Sequence, residues 1–397
     1  MKFSKRIQSI QPSMTLAVDA KAKELKANGV DVIGFGAGEP DFNTPDVIKQ
    51  AGIKAIEQNA THYTPAGGTV ALKQAIIDKL KRDNGLGYEK NQILVSCGAK
   101  HSLFNLAQVL WEEGDEIIVP APYWVSYPDI IRYAGASPVI IETLGDNEFK
   151  ITPEQIESAV TVNTRAIIIN SPSNPTGSAY TKKELEAIAE CALRNGLLMV
   201  SDEIYEKIVF DEFEQSSICA LGKEVQDNCV LVNGVSKSYA MTGWRIGYLA
   251  GNAEIIKQTT KLQGQSTSNP TSVSQAASIA ALNEGEADVK RMVAEFQKRR
   301  NALVDSLLKI PGVKCYKPVG SFYTFPDFSV FYGKTFKGKK VEGSIQLAEF
   351  LLDEGKVALV PGIAFGADKN LRMAFASSMD TILQGVDRIV KTLELLE

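Results

Sequence analysis

The stretch Cys229-Val230-Leu231-Val232-Asn233-Gly234-Val235-Ser236-Lys237-Ser238-Tyr239-Ala240-Met241-Thr242-Gly243-Trp244-Arg245-Ile246-Gly247-Tyr248 decides how the rest of the chain is read. It opens on an apolar run without polar alternation, the pattern of a strand buried on both faces. Where that strand ends, among small residues, stands Lys237, with Arg245 close behind. Most lysines are solvated surface groups. This one is badly sited for that. Burial and a neighbouring cation both lower an amine's pKa, so the place suits a lysine that forms a Schiff base.

Further runs of the same kind lie on either side. Ile93-Leu94-Val95-Ser96, Glu116-Ile117-Ile118-Val119, Pro138-Val139-Ile140-Ile141, Ala166-Ile167-Ile168-Ile169, Leu197-Leu198-Met199-Val200 and Val230-Leu231-Val232 alternate with helical patterns from about residue 45 to residue 285. Parallel strands covered by helices read this way, which predicts an α/β fold. Thr181, with Glu184 three residues on, gives the capping-box start of one such helix. The alternation stops near Asn283-Glu284-Gly285-Glu286. A long charged helix, containing Arg291, Lys298, Arg299 and Arg300, is expected from there to about Leu308 as a link between two domains. Val313 to Phe328, Gly343 to Glu354 and Val357 to Ala376 predict a smaller α+β unit. An amphipathic helix carrying Ile382, Val386, Ile389 and Leu393 closes the chain. The basic stretch Lys334 to Lys340 reads as a solvated loop.

At 397 residues the chain has room for two domains with substantial cores. Its hydrophobic fraction of 44% and charged fraction of 23% are those of a soluble globular protein. A net charge of −4 gives no reason to expect nucleic acid or an anionic membrane as partner. No apolar run approaches membrane-spanning length, and no export signal follows the basic residues at the start, so the cytoplasm is the expected location. Five scattered cysteines without CxxC spacing, and only two histidines, speak against a Cys/His metal site.

Several strand ends carry polar residues. Asp202 and Tyr205 follow the strand ending at Val200, at the carboxyl end where open α/β sheets bind ligands. An acid there can keep a pyridine nitrogen protonated, as the carbanion chemistry of pyridoxal phosphate requires, and Tyr205 can donate to a phenolic oxygen. Without Lys237, the pair reads first as a helix-capping aspartate and a core tyrosine. Asn170-Ser171-Pro172-Ser173-Asn174-Pro175-Thr176-Gly177 is a turn that presents Asn174 toward the same cleft. Asn174-Pro175 and Ala121-Pro122 are candidates for cis peptide bonds. Cys97-Gly98-Ala99-Lys100 ends a strand and opens a helix, a place suited to a phosphate or to a plain turn. Ser236 and Arg245 would add a hydroxyl and a guanidinium there. Trp124 suits stacking on a flat ring or simple packing. Arg372 stands inside the apolar run Leu371 to Ala376, so it needs an anionic partner, whether a structural carboxylate or a substrate's.

Together these residues resemble the fold-type I pyridoxal-phosphate aminotransferases of class I, in the prokaryotic aspartate aminotransferase subgroup. The matches run in family order over nearly the whole chain. They begin with Ala37-Gly38-Glu39-Pro40-Asp41-Phe42, His62-Tyr63-Thr64-Pro65, Gly98-Ala99-Lys100 and Pro122-Tyr123-Trp124. They continue through Asn174-Pro175-Thr176-Gly177, Asp202-Glu203-Ile204-Tyr205 and Ser236-Lys237 to Arg245 and Arg372. The resemblance implies a large cofactor-binding domain over residues 46–284, with a mainly parallel seven-stranded sheet between helices. Residues 1–45 would form an N-terminal arm and part of a smaller α+β domain built from both chain ends. Residues 285–397 would supply the linking helix and the rest of that domain.

The resemblance also assigns roles. Lys237 would form the aldimine with pyridoxal 5′-phosphate and then move the proton. Asp202 would pair with the ring nitrogen, Tyr205 and Asn174 with the phenolic oxygen, and Trp124 would stack on the ring. Gly98, Ala99, Lys100, Ser236 and Arg245 would surround the phosphate. Tyr63 would reach the phosphate of a neighbouring subunit, implying a homodimer with shared active sites. Arg372, Gly38 and Asn174 would hold the substrate's α-carboxylate. The chain departs from the animal enzymes in one respect. Gln265-Ser266-Thr267-Ser268-Asn269-Pro270 offers no arginine for a distal carboxylate, so Lys100, with Thr15, would serve instead. The expected reaction is transamination between L-aspartate and 2-oxoglutarate in ping-pong half-reactions. Aspartate/prephenate, aromatic or alanine transamination, and β- or γ-elimination on the same cofactor, are the alternatives.

Overall fold

The apolar runs pair into one seven-stranded sheet. Across it the strands lie in the order Ile93–Ser96, Gly247–Ala250, Cys229–Gly234, Leu198–Asp202, Thr164–Asn170, Glu116–Ala121 and Ser137–Glu142. These coordinates are a computed structural model describing residues 1–10, 12 and 14–397, with the side chains of Thr15, Leu16 and Asp19 outside the described set. The last five strands in that order run parallel, and Gly247–Ala250 is antiparallel to both of its neighbours. Successive residues of each strand feed two separate cores. Val95, Ile118, Ile167 and Leu231 pack on one face with helices Val70–Asn84 and Lys182–Arg194. Leu94, Ile117, Ile168 and Val230 pack on the other with helices Ala99–Leu110 and Ser126–Ala134. This double covering is why the runs lack polar alternation. The edge strand Ser137–Glu142 is the partly exposed exception.

The helix expected after Thr181 is present, with the reciprocal Thr181 and Glu184 bonds of a capping box. Glu286–Leu307 is the long charged helix, and Met379–Leu393 the terminal one, burying Ile382, Val386, Ile389 and Leu393. Beyond Glu286–Leu307 a small antiparallel sheet joins Val360–Pro361, Leu371–Ala374 and Tyr323–Thr324. Ile33–Gly34 pairs in parallel with Val357–Ala358, so segments near the two chain ends meet.

Four details differ from expectation. Gly247–Ala250 was not among the apolar runs, because it is short and opens on a glycine. Lys334 to Lys340 is a hairpin, Thr335–Phe336 against Lys339–Lys340, and not a plain loop. Cys219 and Cys229, without any signature spacing, form a buried disulfide. Ala121-Pro122 and Asn174-Pro175 are cis as anticipated, and Ser171-Pro172 is cis as well. Among the described residues no helix is long and apolar enough to cross a membrane.

Candidate active site

A cavity of about 490 Å³ opens at the carboxyl ends of the parallel strands. The strand Leu198–Asp202 delivers Asp202 to it, and Cys229–Gly234 leads to Ser236 and Lys237. The turn after Ile93–Ser96 brings Ala99 and Lys100, and Arg372 comes from the small antiparallel sheet. Gly38, Trp124, Asn174, Tyr205 and Arg245 complete the set. Gly98 does not line the cavity itself but lies against the Arg245 guanidinium. Tyr63 is not brought in: it stands 92% exposed, outside the cavity of its own chain. Thr15 lies on the helix Met14–Ala27, and its side chain is outside the described set.

Asp202 is only 4% exposed. Its Oδ2 accepts a hydrogen bond of 2.6 Å from the Tyr127 hydroxyl, and its Oδ1 accepts from the Ile204 N–H. Burial pushes its carboxyl from the ordinary 3.8 up to about 6, against those two bonds and the Lys237 charge. A cation beside it would reverse the cost. Lys237 donates from Nζ to the Gly38 carbonyl. Burial brings its amine from 10.5 down to about 8; Glu39 opposes this, while Arg245, Arg372 and Lys100 assist it. The neighbouring cation inferred from the sequence is thus real but secondary.

At the opposite wall Arg372 is 3% exposed. It donates to Asn174 Oδ1 at 3.0 Å and to the Gly36 carbonyl at 2.8 Å, both neutral oxygens. Its Nε has no partner among the described residues. Tyr323 and Phe365 lie 4.5 and 5.0 Å from the guanidinium carbon. Burial lowers its pKa, with Tyr323 and Tyr205 opposing that, and no carboxylate among the described residues pairs with it. Such a cation calls for a carboxylate from outside.

The third wall fits a phosphate. Gly98 has φ +91 and caps the helix Ala99–Leu110, and a Cβ on it would lie 2.3 Å from Arg245 Nη2. Arg245, itself at φ 57, is aimed by bonds to the carbonyls of Thr242 and Cys97. Glycine, helix N-terminus and guanidinium together form an anion cradle. Lys100, one residue inside that helix, holds Nζ 4.9 Å from the Trp124 ring. Its pKa is lowered, first by burial and then by Arg245.

Three participants escaped the sequence reading. Tyr127 stands just past the Pro122-Tyr123-Trp124 match, and only the turn into helix Ser126–Ala134 points it at Asp202. Tyr323 shares a 3.1 Å hydroxyl contact with Tyr205, from a strand more than a hundred residues away. Glu39 lies within a quoted motif, yet its side chain had no assigned part; it lines the cavity and accepts from Thr242 Oγ1 at 2.7 Å.

Residues 30–389 match the family described as aminotransferase class I and II. The chain is 51% identical over 397 residues to an aspartate aminotransferase of Geobacillus stearothermophilus, covering 99% of each. An aspartate aminotransferase structure from Rhizobium meliloti superposes with a TM-score of 0.97 at 41% identity, covering 100% of both chains. One from Thermus thermophilus with maleate superposes with a TM-score of 0.93 at 38% identity, covering 99% of this chain and 100% of that one.

Proposed function

The chain belongs to the class I and II aminotransferase family, and on that premise we propose that it exchanges amino groups between L-aspartate and 2-oxoglutarate in two half-reactions. The family's cofactor is pyridoxal 5′-phosphate, and the residues present fit it: an anion cradle, a buried acid awaiting a cation, and a depressed lysine share one cavity. Bound there, it supplies an aldehyde for the amino group and a ring that accepts the electrons left by a departing proton. Gly98, Ala99, Ser236 and Arg245 would hold its phosphate, Trp124 its face, and Tyr205 and Asn174 its phenolic oxygen.

Lys237 would hold the aldehyde carbon and, once freed from it, take the substrate's α-proton on Nζ and return it nearby. An amine with a pKa near 8 suits this exchange around neutral pH. Asp202, oriented by Tyr127, would keep the ring nitrogen positive. Arg372, steered by Asn174 and the Gly36 carbonyl, would grip the α-carboxylate. Lys100 would offer its ammonium to the second carboxylate of aspartate, glutamate or their oxo acids.

The observation that carries the reading is Arg372, a buried guanidinium with no carboxylate partner among the described residues, in the cavity that also holds Lys237. A panel of half-reactions tests it. The aldehyde form of the enzyme is mixed with single amino acids, and conversion to the amine form is followed by absorbance. Aspartate and glutamate are expected to react fastest. Pyruvate and ammonia released without any oxo-acid acceptor would move the protein to the eliminating lyases.

We also propose a homodimer with composite sites. Tyr63 is exposed on one chain, and in such a dimer it would serve the phosphate of a second copy.

A further inference from the structure

We propose that Arg299 is a positioning residue for the substrate-carboxylate clamp, holding the strap Gly36–Phe42 where Arg372 and Lys237 need it. This rests on the functional reading above for what the clamp binds.

The strap has no helix or strand of its own. Two of its carbonyls nevertheless direct the cations of the site, Gly36 accepting from Arg372 and Gly38 from Lys237. A segment without a regular hydrogen-bond ladder keeps such aim only if something else fixes it. Beyond Glu39, the loop after the lysine strand supplies one anchor, through Thr44 Oγ1 to the Ala240 carbonyl at 2.6 Å and Trp244 Nε1 to Thr44 at 3.0 Å. Arg299 supplies another, beside the contact of the Phe42 ring with Phe296 at 5.2 Å. From the helix Glu286–Leu307 its Nη1 reaches Asp41 Oδ1 at 2.7 Å, and its guanidinium carbon lies 5.0 Å from the Phe42 ring.

A second path leads from the same side chain. Arg299 also lies over Phe296, whose ring is 5.5 Å from that of Phe322; Phe322 in turn is 6.0 Å from Lys237 Nζ. Movement of Arg299 would therefore loosen both the strap and the aromatic floor beneath the lysine.

The neighbouring Arg300 is the internal comparison. It too is buried, but it pairs with Asp211 and the Pro318 carbonyl and touches neither strap nor cavity. A buried ion pair is weak evidence of a stabilising role, since apolar replacements of similar volume are often tolerated. Arg299, 7% exposed and shared between Asp41 and Glu295, is better accounted for by where it holds the strap.

The test uses the full-length holoenzyme and maleate as a non-reacting dicarboxylate, its binding read from the cofactor's absorbance. Arg299→Met should weaken maleate binding and raise the KM for aspartate by roughly tenfold or more, with a smaller fall in kcat and cofactor affinity within about twofold. Asp41→Asn, which keeps the fold's volume, should move the same quantities in the same direction and stands in if Arg299→Met does not fold. Arg300→Met should lower thermal stability while leaving maleate affinity and KM within about twofold. Maleate affinity and KM unchanged in both Arg299→Met and Asp41→Asn would overturn the proposal, as would an equal loss in Arg300→Met. A wild type that binds maleate but transaminates only other amino acids would overturn the aspartate reading alone. The Arg299 comparison is then made with the donor that reacts.

Discussion

At the scale of single residues the site stores a cost that a cation beside Asp202 would relieve. Asp202 is driven from 3.8 to about 6 by burial, so below about pH 4 it is protonated in both folded and unfolded chains. Between about pH 4 and 6 the unfolded chain ionises first, and stability falls as pH rises through that window. At pH 7.5 the charged, buried Asp202 costs the apo protein on the order of 3 kcal/mol. Apo Asp202→Asn should therefore melt higher than apo wild type at pH 7.5 and lose that advantage at pH 4, while its transamination falls by orders of magnitude. Calorimetry at the two pH values checks this; an apo variant less stable at pH 7.5 would contradict the assignment. Lys100 belongs to the same scale. Lys100→Ala should cut kcat/KM for aspartate about ten- to a hundredfold, the worth of a charged hydrogen bond, and that for alanine far less. Equal losses would place Lys100 on the phosphate alone. The residue types were legible in sequence because Schiff-base and carboxylate chemistry need few kinds of side chain. Tyr127 was not legible, since nothing in the chain order shows a hydroxyl 75 positions away turning toward Asp202.

At the scale of elements, the Gly98 turn, the proposed phosphate site, packs against the antiparallel strand of the sheet. Gly247 opens that strand, and a Cβ there would stand 2.1 Å from the Ala99 nitrogen and 2.4 Å from the Gly98 carbonyl carbon. Both are backbone atoms of the cradle, so they cannot swing aside as a flexible side chain would. Gly247→Ala should weaken cofactor binding at least tenfold and lower stability by about 1–3 kcal/mol, the usual range for overpacking. Gly87→Ala, with open space around it, should do neither. Fluorescence titration with the cofactor separates the two variants. The parallel strands were readable because burial on both faces writes itself as an unbroken apolar run. Gly247–Ala250 was hidden because close approach of two backbones selects a glycine, which weakens the strand signal.

For the whole molecule, the prediction concerns two chains. If Tyr63 completes a partner's site, then a Tyr63→Phe chain and a Lys237→Ala chain, each crippled alone, should recover part of the activity when unfolded and refolded together. One site of each hybrid would then have both groups intact. A fully active monomer by sedimentation would end the idea. The sequence by itself determined the α/β layering, the cofactor class and the identity of most groups in the cleft. Those follow from local facts: apolar period, residues at strand ends, and motifs kept in order. Only the tertiary structure decided which groups act on one another. The Tyr127–Asp202 bond, the Tyr205–Tyr323 contact and the Arg299–Asp41 pair all join segments far apart in the chain. The physical reason is that propensity and hydrophobic period are properties of neighbours in sequence. The pairing of buried polar groups is settled by which segments the packed core brings within about 3 Å of one another.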